Sequence, residues 1–399
     1  MINNNWKRTT IKKTCHLVNG RAFKPSEWAR KGLPIIRIQN LNNPNAQFNY
    51  CNFPVDDKYY VDDGDLLFAW SGTPGTSFGS HIWNKGKAVL NQHIFKVIIN
   101  EMENNKSFFM YLLNNNVEQY IKKAHGAAGL AHITKGTFEN SEIELPPKKI
   151  QDEIVYTIET QFTRLDAAIK SLKTIQQKLD VYRKSVLKAA FDENLVETKS
   201  EWNEYRIKDI AEKIQYGLTS QSGMNYKGPR YLRITDIQDR KVDWEKVPFA
   251  KETDRTKDYA LQNGDLVFAR TGATVGKSFL IKKCPKGAVF ASYLIRVAPQ
   301  VSKILPDLLW YYFQSPMYWG DISRSQRGIG QPNVNGQILS NLLIKIPIDL
   351  QGQEQIVSEI ESRFSVIDKL DEVIANSLQK AERLRKSILK AAFEGKLVQ

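Results

Sequence analysis

The sequence predicts an α+β protein in which two globular α/β domains form a tandem repeat with pseudo-two-fold symmetry, separated by two long helices that form an antiparallel coiled coil. Two observations support this fold class. The chain of 399 residues repeats itself at an offset of about 200 residues. Within each copy, short β-rich segments precede a long stretch of apolar residues at helical spacing. Each copy is long enough to bury its own core.

The repeat is clearest towards the end of each copy. YRKSVLKAAFDENLVE at 182–197 recurs as LRKSILKAAFEGKLVQ at 384–399, and QDEIVYTIETQF at 151–162 recurs as QEQIVSEIESRF at 353–364, both at an offset of 202 residues. Earlier in each copy, GDLLFAWSG matches GDLVFARTG, and LPIIRIQNL resembles RYLRITDI. The whole chain is therefore predicted to be a tandem duplication.

The character of the sequence changes at a proline-containing boundary in both copies, LPPKK in the first and IPIDL in the second. Before the boundary, Gly, Asn, Asp and Pro separate short strand-like segments. After it, apolar residues recur every three or four positions. These changes predict a first domain at 1–146, a first helical region at 147–199, a second domain at 200–346 and a second helical region at 347–399.

Each helical region is predicted to be one long helix with an apolar seam of about five heptads. The predicted coiled-coil core positions are Ile154, Ile158, Phe162, Leu165, Ile169, Leu172 and Leu179 in the first helix and Ile356, Ile360, Phe364, Ile367, Ile374 and Leu378 in the second. Asp371 and Ser377 interrupt the second seam with polar side chains. We therefore expect the helices to pack on each other and also on another surface.

A shorter helix is predicted within each domain, at 107–123 and at 306–319. Around the second helix the aromatic residues crowd together: Trp310, Tyr311, Tyr312, Phe313, Tyr318 and Trp319. An aromatic cluster at helical spacing is interpreted as domain core, with stacking on nucleic-acid bases as the alternative.

The net charge of +14 at pH 7 favours a polyanionic partner such as nucleic acid. The excess of Lys and Arg over Asp and Glu is +5 in 1–146 and +8 in 200–346, but only +2 in 147–199 and −1 in 347–399. DNA is therefore predicted to bind the two domains, whereas the helical regions are predicted to be spacers or protein-docking surfaces.

Several other classes of protein are disfavoured by the sequence. There is no run of roughly 18 apolar residues, and the N-terminus lacks the apolar core of a signal peptide, so a cytoplasmic protein without a membrane partner is predicted. The cysteines lie far apart and the histidines fit no metal-binding spacing. Neither a disulfide framework nor a metal site is therefore predicted.

The stretch GATVGKS at 272–278 is similar to a phosphate-binding loop, but three residues separate its glycines where the pattern requires four. The FLIKK that follows is typical of a strand, whereas a phosphate-binding loop opens a helix. The matching part of the first copy, GTPGTSFGS at 72–80, has no such motif. We interpret the stretch as a glycine-rich turn that approaches a DNA backbone rather than as a nucleotide site.

The order of the four parts, together with GDLVFA, GQPNVN, IPIDLQGQEQIV and LRKSILKAAFEGKLV, resembles the specificity subunit of type I restriction-modification systems. The resemblance spans the whole chain and is present in both halves. It implies that the two domains are target recognition domains, each reading one half of a split, asymmetric DNA sequence. It also implies that the helical regions pair as spacers and dock the methyltransferase subunits.

The resemblance further implies that this chain binds double-stranded DNA, has no catalytic activity and binds no cofactor itself. Methylation of adenine would come from two modification subunits that use S-adenosylmethionine, and cleavage from restriction subunits that use ATP and Mg. The sequence also lacks the [DNS]PP[YF] motif of adenine methyltransferases. Two alternatives stay open. One is an enzyme, either a cryptic nucleotide-hydrolysing enzyme around Gly276 and Lys277 or a DNA-processing nuclease of unfamiliar type, and the other is a coiled-coil scaffold.

Three places in each domain offer side chains that suit base edges or phosphates. The predicted DNA-contact residues are Arg37, Gln39, Asn40, Trp70, Ser71, Thr73, His132 and Lys135 in the first domain, and Arg233, Thr235, Asp236, Arg270, Thr271, Lys277, Arg327, Gln331 and Asn333 in the second. For Arg37 and Arg233 the alternative is an ion pair inside the domain. For the glycine-rich stretches at 126–136 and 327–336 the alternative is a plain tight turn.

Overall fold

The computed structural model describes residues 6–43, 45–73, 76–123, 131–238, 241–251, 253–272, 274–325 and 334–398. The chain divides into unit 1, residues 1–171 and 377–399, and unit 2, residues 172–376. The division runs through both long helices. Each unit therefore contains one β-rich domain and a segment of each long helix, and the domain boundaries stay predictions from the sequence.

The strands and helices of unit 1 are short up to the long helix. The strands are β1 (Lys7–Thr10), β2 (Cys15–Asn19), β3 (Leu33–Ile36), β4 (Asn49–Cys51), β5 (Tyr60–Val61), β6 (Leu66–Ala69), β7 (Ser71–Gly72), β8 (Gly79–Ile82), β9 (Ala88–Leu90), β10 (Ile94–Ile99), β11 (Ala131–His132) and β12 (Glu142–Leu145). The helices are α1 (Ile11–Thr14), α2 (Ile38–Asn42), α3 (Lys106–Asn115), α4 (Val117–Lys122), α5 (Lys135–Glu139) and α6 (Lys148–Phe191).

Unit 2 has a similar order of elements at the start and end of its domain, with differences in between. Its strands are β13 (Trp202–Arg206), β14 (Ala211–Tyr216), β15 (Ser222–Gly223), β16 (Tyr231–Leu232), β17 (Ile237–Gln238), β18 (Lys241–Val242), β19 (Phe249–Ala250), β20 (Leu266–Ala269), β21 (Ser278–Leu280), β22 (Val289–Phe290), β23 (Leu294–Pro299) and β24 (Leu343–Pro347). Its helices are α7 (Ile207–Ile210), α8 (Pro306–Tyr312), α9 (Pro316–Ser325), α10 (Gly336–Asn341) and α11 (Leu350–Phe393).

Each unit is built around an antiparallel four-stranded sheet with the same strand order. The order is β2-β10-β6-β8 in unit 1 and β14-β23-β20-β21 in unit 2. Every residue of β6 and β20 is buried, since the sheet is covered on both faces. Strands covered on both faces are continuously apolar, which explains LLFA and LVFA in the sequence. In unit 1 a second sheet, β4-β3-β9-β5, contains the parallel pair β3 and β9.

The start of each long helix is fixed to its domain by a buried glutamine. Gln151 Nε2 donates to the carbonyl of Pro146 at 2.9 Å, and its Oε1 accepts from the N–H of Asn105 at 2.8 Å. In unit 2, Gln353 Nε2 donates to Pro347 and its Oε1 accepts from Leu305, at 3.0 and 2.9 Å. Buried amides are stable only when so bonded.

The long helices pack on the domains as well as on each other, as the imperfect seam predicts. In unit 1, Ile154 and Ile158 share a buried cluster with Phe108 of the domain and Ile388 of α11. Among the predicted core positions, the fully buried ones are Ile154, Ile158, Phe162, Leu179, Ile356, Ile360, Ile367 and Ile374, and the half-buried ones are Leu165, Ile169, Leu172, Phe364 and Leu378. In both units late residues of one helix face early residues of the other, so the segments run antiparallel.

The shorter predicted helices are each divided in two, which corrects the sequence-based expectation. Helix α3 ends at Asn115 and α4 starts at Val117, and Pro316 opens α9 after α8 has ended. Proline has no backbone N–H to continue a helix, which explains the second break. The interpretation of the aromatic cluster as core is confirmed for the buried Tyr312, Phe313 and Tyr318.

Candidate nucleic-acid interface

Three strand ends meet at one edge of the central sheet in unit 1. Asn19 ends β2 and pairs in register with Phe95 of β10, Trp70 follows β6, and His93 precedes β10. The backbone N–H of Trp70 donates to the carbonyl of His93 at 3.1 Å. Asn19 and His93, which are 74 positions apart in the chain, thus lie together. With His132, which contacts Trp70 and His93, these three residues form what we call the unit 1 strand-end cluster.

The same backbone arrangement recurs in unit 2 with different side chains. Tyr216 ends β14, Arg270 follows β20 and Tyr293 precedes β23. The N–H of Arg270 donates to the carbonyl of Tyr293 at 3.1 Å. We call Tyr216, Arg270 and Tyr293 the unit 2 strand-end cluster. The two units therefore hold equivalent positions on one scaffold but present different chemistry there.

Trp70 is the centre of the unit 1 strand-end cluster. Its ring stacks on Phe95 with centroids 5.4 Å apart and meets His93 edge-on at 5.0 Å. The indole Nε1 donates to Asn19 Oδ1 at 3.2 Å. Since both the ring and the N–H are engaged, Trp70 is held in one orientation and fixes the surface around it.

His132 reaches this cluster through a two-residue strand pair. Strand β11 pairs with β7 so that His132 lies opposite Ser71. The Ser71 hydroxyl and His132 Nδ1 are 2.6 Å apart. Ser71 is only 4% exposed, whereas His132 is exposed. Of these two predicted DNA-contact residues, the structure presents His132 to solvent and uses Ser71 to orient the imidazole.

His93 is a strained and partly buried member of the cluster. Its φ is 73°, a left-handed conformation that is uncommon for residues other than glycine. Burial lowers the pKa of His93, and the nearby His132 lowers that pKa further. His93 Nδ1 is buried without a hydrogen-bond partner among the described residues. The neutral imidazole is therefore favoured next to Trp70.

In unit 2, Arg270 is flanked by aromatic residues. Its guanidinium carbon lies 5.1 Å from the ring centroid of Tyr216. The Tyr216 hydroxyl accepts from the N–H of Gly336 at 3.0 Å, and the carbonyl of Arg270 accepts from Val334 at 3.1 Å. Tyr293 is 67% exposed. An arginine and two accessible aromatic rings at one sheet edge suit contact with nucleotide bases.

The turn after β20 is shaped by two glycines. Gly272 and Gly276 have φ of +84° and +79°, which other residues rarely adopt. The Tyr318 hydroxyl donates to the carbonyl of Gly276 at 2.6 Å and fixes the turn to α9. Lys277 is exposed and Thr271 is half-buried. The chain then enters strand β21, as the sequence predicts, rather than the helix that a phosphate-binding loop requires.

The equivalent turn in unit 1 follows β7. Gly72 has a φ of +122°, and a Cβ there would lie 2.5 Å from the side chain of Ser77. The Ser77 hydroxyl accepts from the N–H of Thr73 at 3.1 Å. Thr73 is exposed and carries no charge, in contrast to Lys277 of unit 2.

The loop after β3 does not present all of its predicted contact residues. Asn40 is 2% exposed, and its side chain accepts from the N–H of Arg37 and donates to the carbonyls of Ala46 and Gln47. Arg37 donates to Asn49 at 3.2 Å. In this conformation Asn40 has a structural role, because both of its amide hydrogens are used and its side chain is buried.

The matching loop in unit 2 has the same arrangement, with Asp236 in the place of Asn40 and an ion pair between Asp236 and Arg233. Arg233 Nε and Nη2 donate to the two carboxylate oxygens of Asp236 at 3.1 and 2.7 Å. The ion-pair alternative therefore describes Arg233. Between the engaged residues, Gln39 in unit 1 and Thr235 in unit 2 are exposed at equivalent positions.

Lys135 is also engaged within its domain, since its ammonium donates to the carbonyl of Leu17 at 2.9 Å and lies 3.6 Å from Glu139. Three predicted contact residues lie outside the described part of the chain, namely Arg327, Gln331 and Asn333. Among the predicted residues, the strand-end clusters bring together Trp70 with His132, and place Arg270 beside the turn of Lys277.

Sequence reasoning missed Asn19, His93, Tyr216 and Tyr293. A signal for two of them was present, because AVLNQHIFKV at 88–97 aligns with AVFASYLIRV at 288–297 and sets His93 against Tyr293. Trp70 and Arg270 show the same kind of difference. Where two equivalent positions of the repeat have large side chains of different chemistry, the pattern indicates surface positions rather than core positions.

Two kinds of feature are absent from the described residues. Within that part of the chain, no group of three or more His, Cys, Asp and Glu side chains is arranged to hold a metal ion. None of the helices there is both long and apolar enough to cross a membrane.

Comparison with known protein families matches the chain twice to the type I restriction modification DNA specificity domain, over residues 3–180 and 199–383. The chain is 26% identical to the type I restriction enzyme EcoBI specificity subunit of Escherichia coli, over 99% of this chain and 87% of the relative. It is also 26% identical to the type I restriction enzyme MjaVIII specificity subunit of Methanocaldococcus jannaschii, over 84% and 80%.

Solved structures share the fold at low sequence identity. A chain from work on the complex assembly and conformational transition of the type I R-M system superposes with a TM-score of 0.78, at 16% identity and over 99% of both chains. The HsdS subunit from Thermoanaerobacter tengcongensis superposes with a TM-score of 0.61, at 16% identity and over 99% and 98% of the chains. The tandem arrangement with two long helices is thus a fold found in other solved proteins.

Proposed function

The chain belongs to the type I restriction modification DNA specificity family, and we propose that, as the DNA specificity subunit of such a system, it reads one half of a split, asymmetric DNA target with each unit. The observation that supports the split target most directly is the pair of strand-end clusters. Their backbones make the same hydrogen bonds, whereas their side chains differ. Readers built on one scaffold with different donors and aromatic rings favour different bases.

The distribution of charge supports the domains as the DNA-binding parts. The excess positive charge of +5 and +8 belongs to residues 1–146 and 200–346, whereas the helical regions are nearly neutral. Contacts to phosphates supply much of the affinity for DNA and depend on such charge. We accordingly expect the affinity for DNA to fall steeply as the salt concentration rises, which a protein acting only as a scaffold would not show.

The long helices suit a different role from the domains. Each has 44 residues, which corresponds to about 66 Å at 1.5 Å per residue. In our proposal they set the number of base pairs between the two half-sites and dock two modification subunits. Methylation of adenine and any cleavage of DNA then occur on partner subunits, with S-adenosylmethionine, ATP and Mg bound there, and this chain contributes sequence recognition alone.

The decisive experiment is to express the chain with the modification subunit of its own system, in a host without other adenine methylation, and to map methylated adenines across the genome. We expect one split, non-palindromic motif. Exchanging residues 1–146 for the corresponding domain of another family member should change one half of the motif only. Exchanging residues 200–346 is the matched control and should change the other half.

Two results contradict the proposal. Methylation of a continuous or palindromic site would mean that the two units do not read separate half-sites. Methylation that persists without this chain would mean that specificity resides elsewhere. Hydrolysis of ATP by the isolated chain would instead support the enzyme alternative.

A further inference from the structure

The guanidinium of Arg270 makes no hydrogen bond to a described residue. Its Nε is buried and has no hydrogen-bond partner among these residues. By contrast, Arg233 is paired with Asp236. Arg296 also has a buried Nε without a partner among the described residues, but its two terminal nitrogens donate to the carbonyl of Ala260 and to the Gln215 side chain. Arg270 can therefore donate to an acceptor that the described part of the chain does not provide.

Tyr216 holds this unused guanidinium in a defined position. The ring lies 5.1 Å from the guanidinium carbon, and the Tyr216 hydroxyl is fixed by the N–H of Gly336 at 3.0 Å. A guanidinium stacked on a ring keeps the donors along its edge free. Holding the side chain in advance also reduces the conformational entropy lost on binding. The two terminal nitrogens of Arg270, which have no hydrogen bond to a described residue, therefore form a preorganised pair of donors.

The comparison between units indicates a base rather than a phosphate as the acceptor. Phosphates are identical in both halves of any DNA target and can be contacted by a flexible, exposed charge, so they do not require a side chain that is held in one position and differs between the units. At the position of Arg270, unit 1 has the uncharged Trp70, although the backbone hydrogen bond to the neighbouring strand is 3.1 Å in both units. A residue that differs on an unchanged scaffold suits the part of the DNA that also differs, which is the bases.

We infer that Arg270 reads a guanine in the half-site bound by unit 2, with Tyr216 as the residue that positions it. Guanine presents two acceptors, O6 and N7, in the major groove, and an arginine edge pairs with both. The neighbouring Lys277, exposed on the glycine-rich turn, suits the adjoining phosphate. This inference rests on the proposed function and assigns it one specificity-determining residue. At the equivalent place in unit 1, Trp70 has no such pair of donors, so no guanine is read there in this way.

The test uses the complex of the chain with its modification subunits. The half-site of unit 2 is first identified by exchanging residues 200–346, and each of its G·C pairs is then replaced in turn in duplexes used for binding and methylation. We expect Arg270→Ala to reduce discrimination at one G·C pair by about 5- to 150-fold. The half-site of unit 1 should stay unchanged. Arg270→Lys keeps the charge but loses the two-donor edge, and it should behave like Arg270→Ala.

Four further variants separate recognition from general binding. Lys277→Ala should weaken binding at all sequences and lower the slope of log affinity against log salt by about one. Arg255→Ala removes an exposed arginine of the same unit outside the cluster and should leave discrimination unchanged. Tyr216→Leu should reduce discrimination at the same G·C pair as Arg270→Ala, whereas Tyr216→Phe, which keeps the ring, should retain most of it.

Several outcomes overturn the inference. If Arg270→Ala weakens binding equally at all sequences and Arg270→Lys restores it, Arg270 contacts a phosphate. If the motif is unchanged in every Arg270 variant, or the half-site has no G·C pair that depends on Arg270, the residue does not read guanine. Should Arg270→Ala fail to assemble, Arg270→Lys decides the matter. Methylation that does not depend on the chain at all is a separate result, because it removes the proposed function itself.

Discussion

The guanidinium of Arg183 on α6 lies 5.2 Å from the ring centroid of Phe364 on α11. The same guanidinium donates to Asp368 at 2.5 Å and to Asp371 at 3.0 Å. The side chain of Arg183 is 20% exposed, so the ring and the two carboxylates largely enclose it. One arginine thereby connects the two long helices of unit 2 by stacking and by ion pairing.

Unit 1 contains the counterpart of this arrangement. Arg385 of α11 lies 4.3 Å from the ring centroid of Phe162 on α6 and pairs with Asp166. Each of these residues is displaced by 202 positions from its equivalent in unit 2. The duplication has therefore kept a specific helix contact as well as the apolar seam.

Arg183→Met should destabilise unit 2 by about 1–2 kcal/mol, because it removes the stacking and both ion pairs while keeping an apolar side chain. The effect should become smaller at high salt, which screens the ion pairs. Urea unfolding of the full chain at low and at high salt measures both the loss of stability and its dependence on salt. Lys184→Met, at the exposed neighbouring position, is the control and should change stability by less than about 0.5 kcal/mol. Equal stability of the Arg183 variant and the original chain contradicts this role.

Gln353→Leu should destabilise unit 2 by about 2–3 kcal/mol. The substitution leaves the N–H of Leu305 and the carbonyl of Pro347 without partners in a fully buried site. Thermal unfolding gives the comparison, with Gln351→Leu on the exposed face of the same helix as the control. A Gln353 variant as stable as the control would show that other groups satisfy these atoms.

Gly217→Ala should cost about 3 kcal/mol or more, because a Cβ at this position would lie 2.1 Å from the carbonyl oxygen of Ala291. The main chain has to move, and Tyr216 moves with it. Gly320→Ala is the matched control, since it has no atom within 4 Å of its Cβ and lies in helix α9. We expect that control to be neutral or slightly stabilising, given the higher helix propensity of alanine. Similar melting temperatures for the two variants would contradict the close approach.

The stability of unit 1 should fall as the pH decreases below about 6.5. Burial lowers the pKa of His93, and burial also lowers the pKa of His81. The unfolded chain therefore binds protons that the folded chain excludes, so stability is fully present above 6.5 and is lost as the pH falls towards the lowered values. Melting temperatures between pH 7.5 and about 5 measure the loss.

His93→Asn should reduce this pH dependence without introducing strain, because asparagine tolerates the φ of 73°. Part of the pH dependence of stability should remain, because His81 is unchanged in this variant. His16→Asn, on an exposed position of β2, is the control and should leave the pH profile unchanged. If the His93 variant has the same profile as the original chain, folding does not lower the pKa of His93.

Ser71→Ala should weaken recognition of the half-site of unit 1 because the hydroxyl no longer orients His132. His132→Gln should have a similar effect, and the double variant should be no worse than either single one. The double-mutant cycle is measured as the affinity of the complex with its modification subunits for target duplexes. Additive losses would mean that Ser71 and His132 act independently.

The sequence predicted the architecture because each sequence pattern is local and occurs in both copies of the repeat. LLFA and LVFA are buried strands, the apolar seams are helices of 44 residues, and the strand after Lys277 is present where FLIKK indicated it. Each of these features depends on residues that are close in the chain. Periodicity and composition suffice for such elements.

The strand-end clusters were beyond prediction for a physical reason. Asn19, Trp70 and His93 meet because β10 lies between β2 and β6, and no local pattern encodes that strand order. The loop after β3 was misleading for another reason, since Asn40 has the composition of a base-reading residue but is used to cap a helix. The same amide and guanidinium groups can hydrogen-bond to the backbone at a helix cap or to DNA. Only the burial of the side chain distinguishes the two uses.

The hydrogen bonds from Trp70 to His93 and from Arg270 to Tyr293 involve main-chain atoms alone. Such bonds form whatever the side chains are, provided that the local dihedral angles are tolerated. Evolution and protein engineering can therefore change the side chains at these positions with little effect on the hydrogen bonds of the sheet. A library randomised at Trp70, Arg270 and Tyr293, with position 93 limited to residues that accept a positive φ, would sample new DNA preferences from chains that still fold.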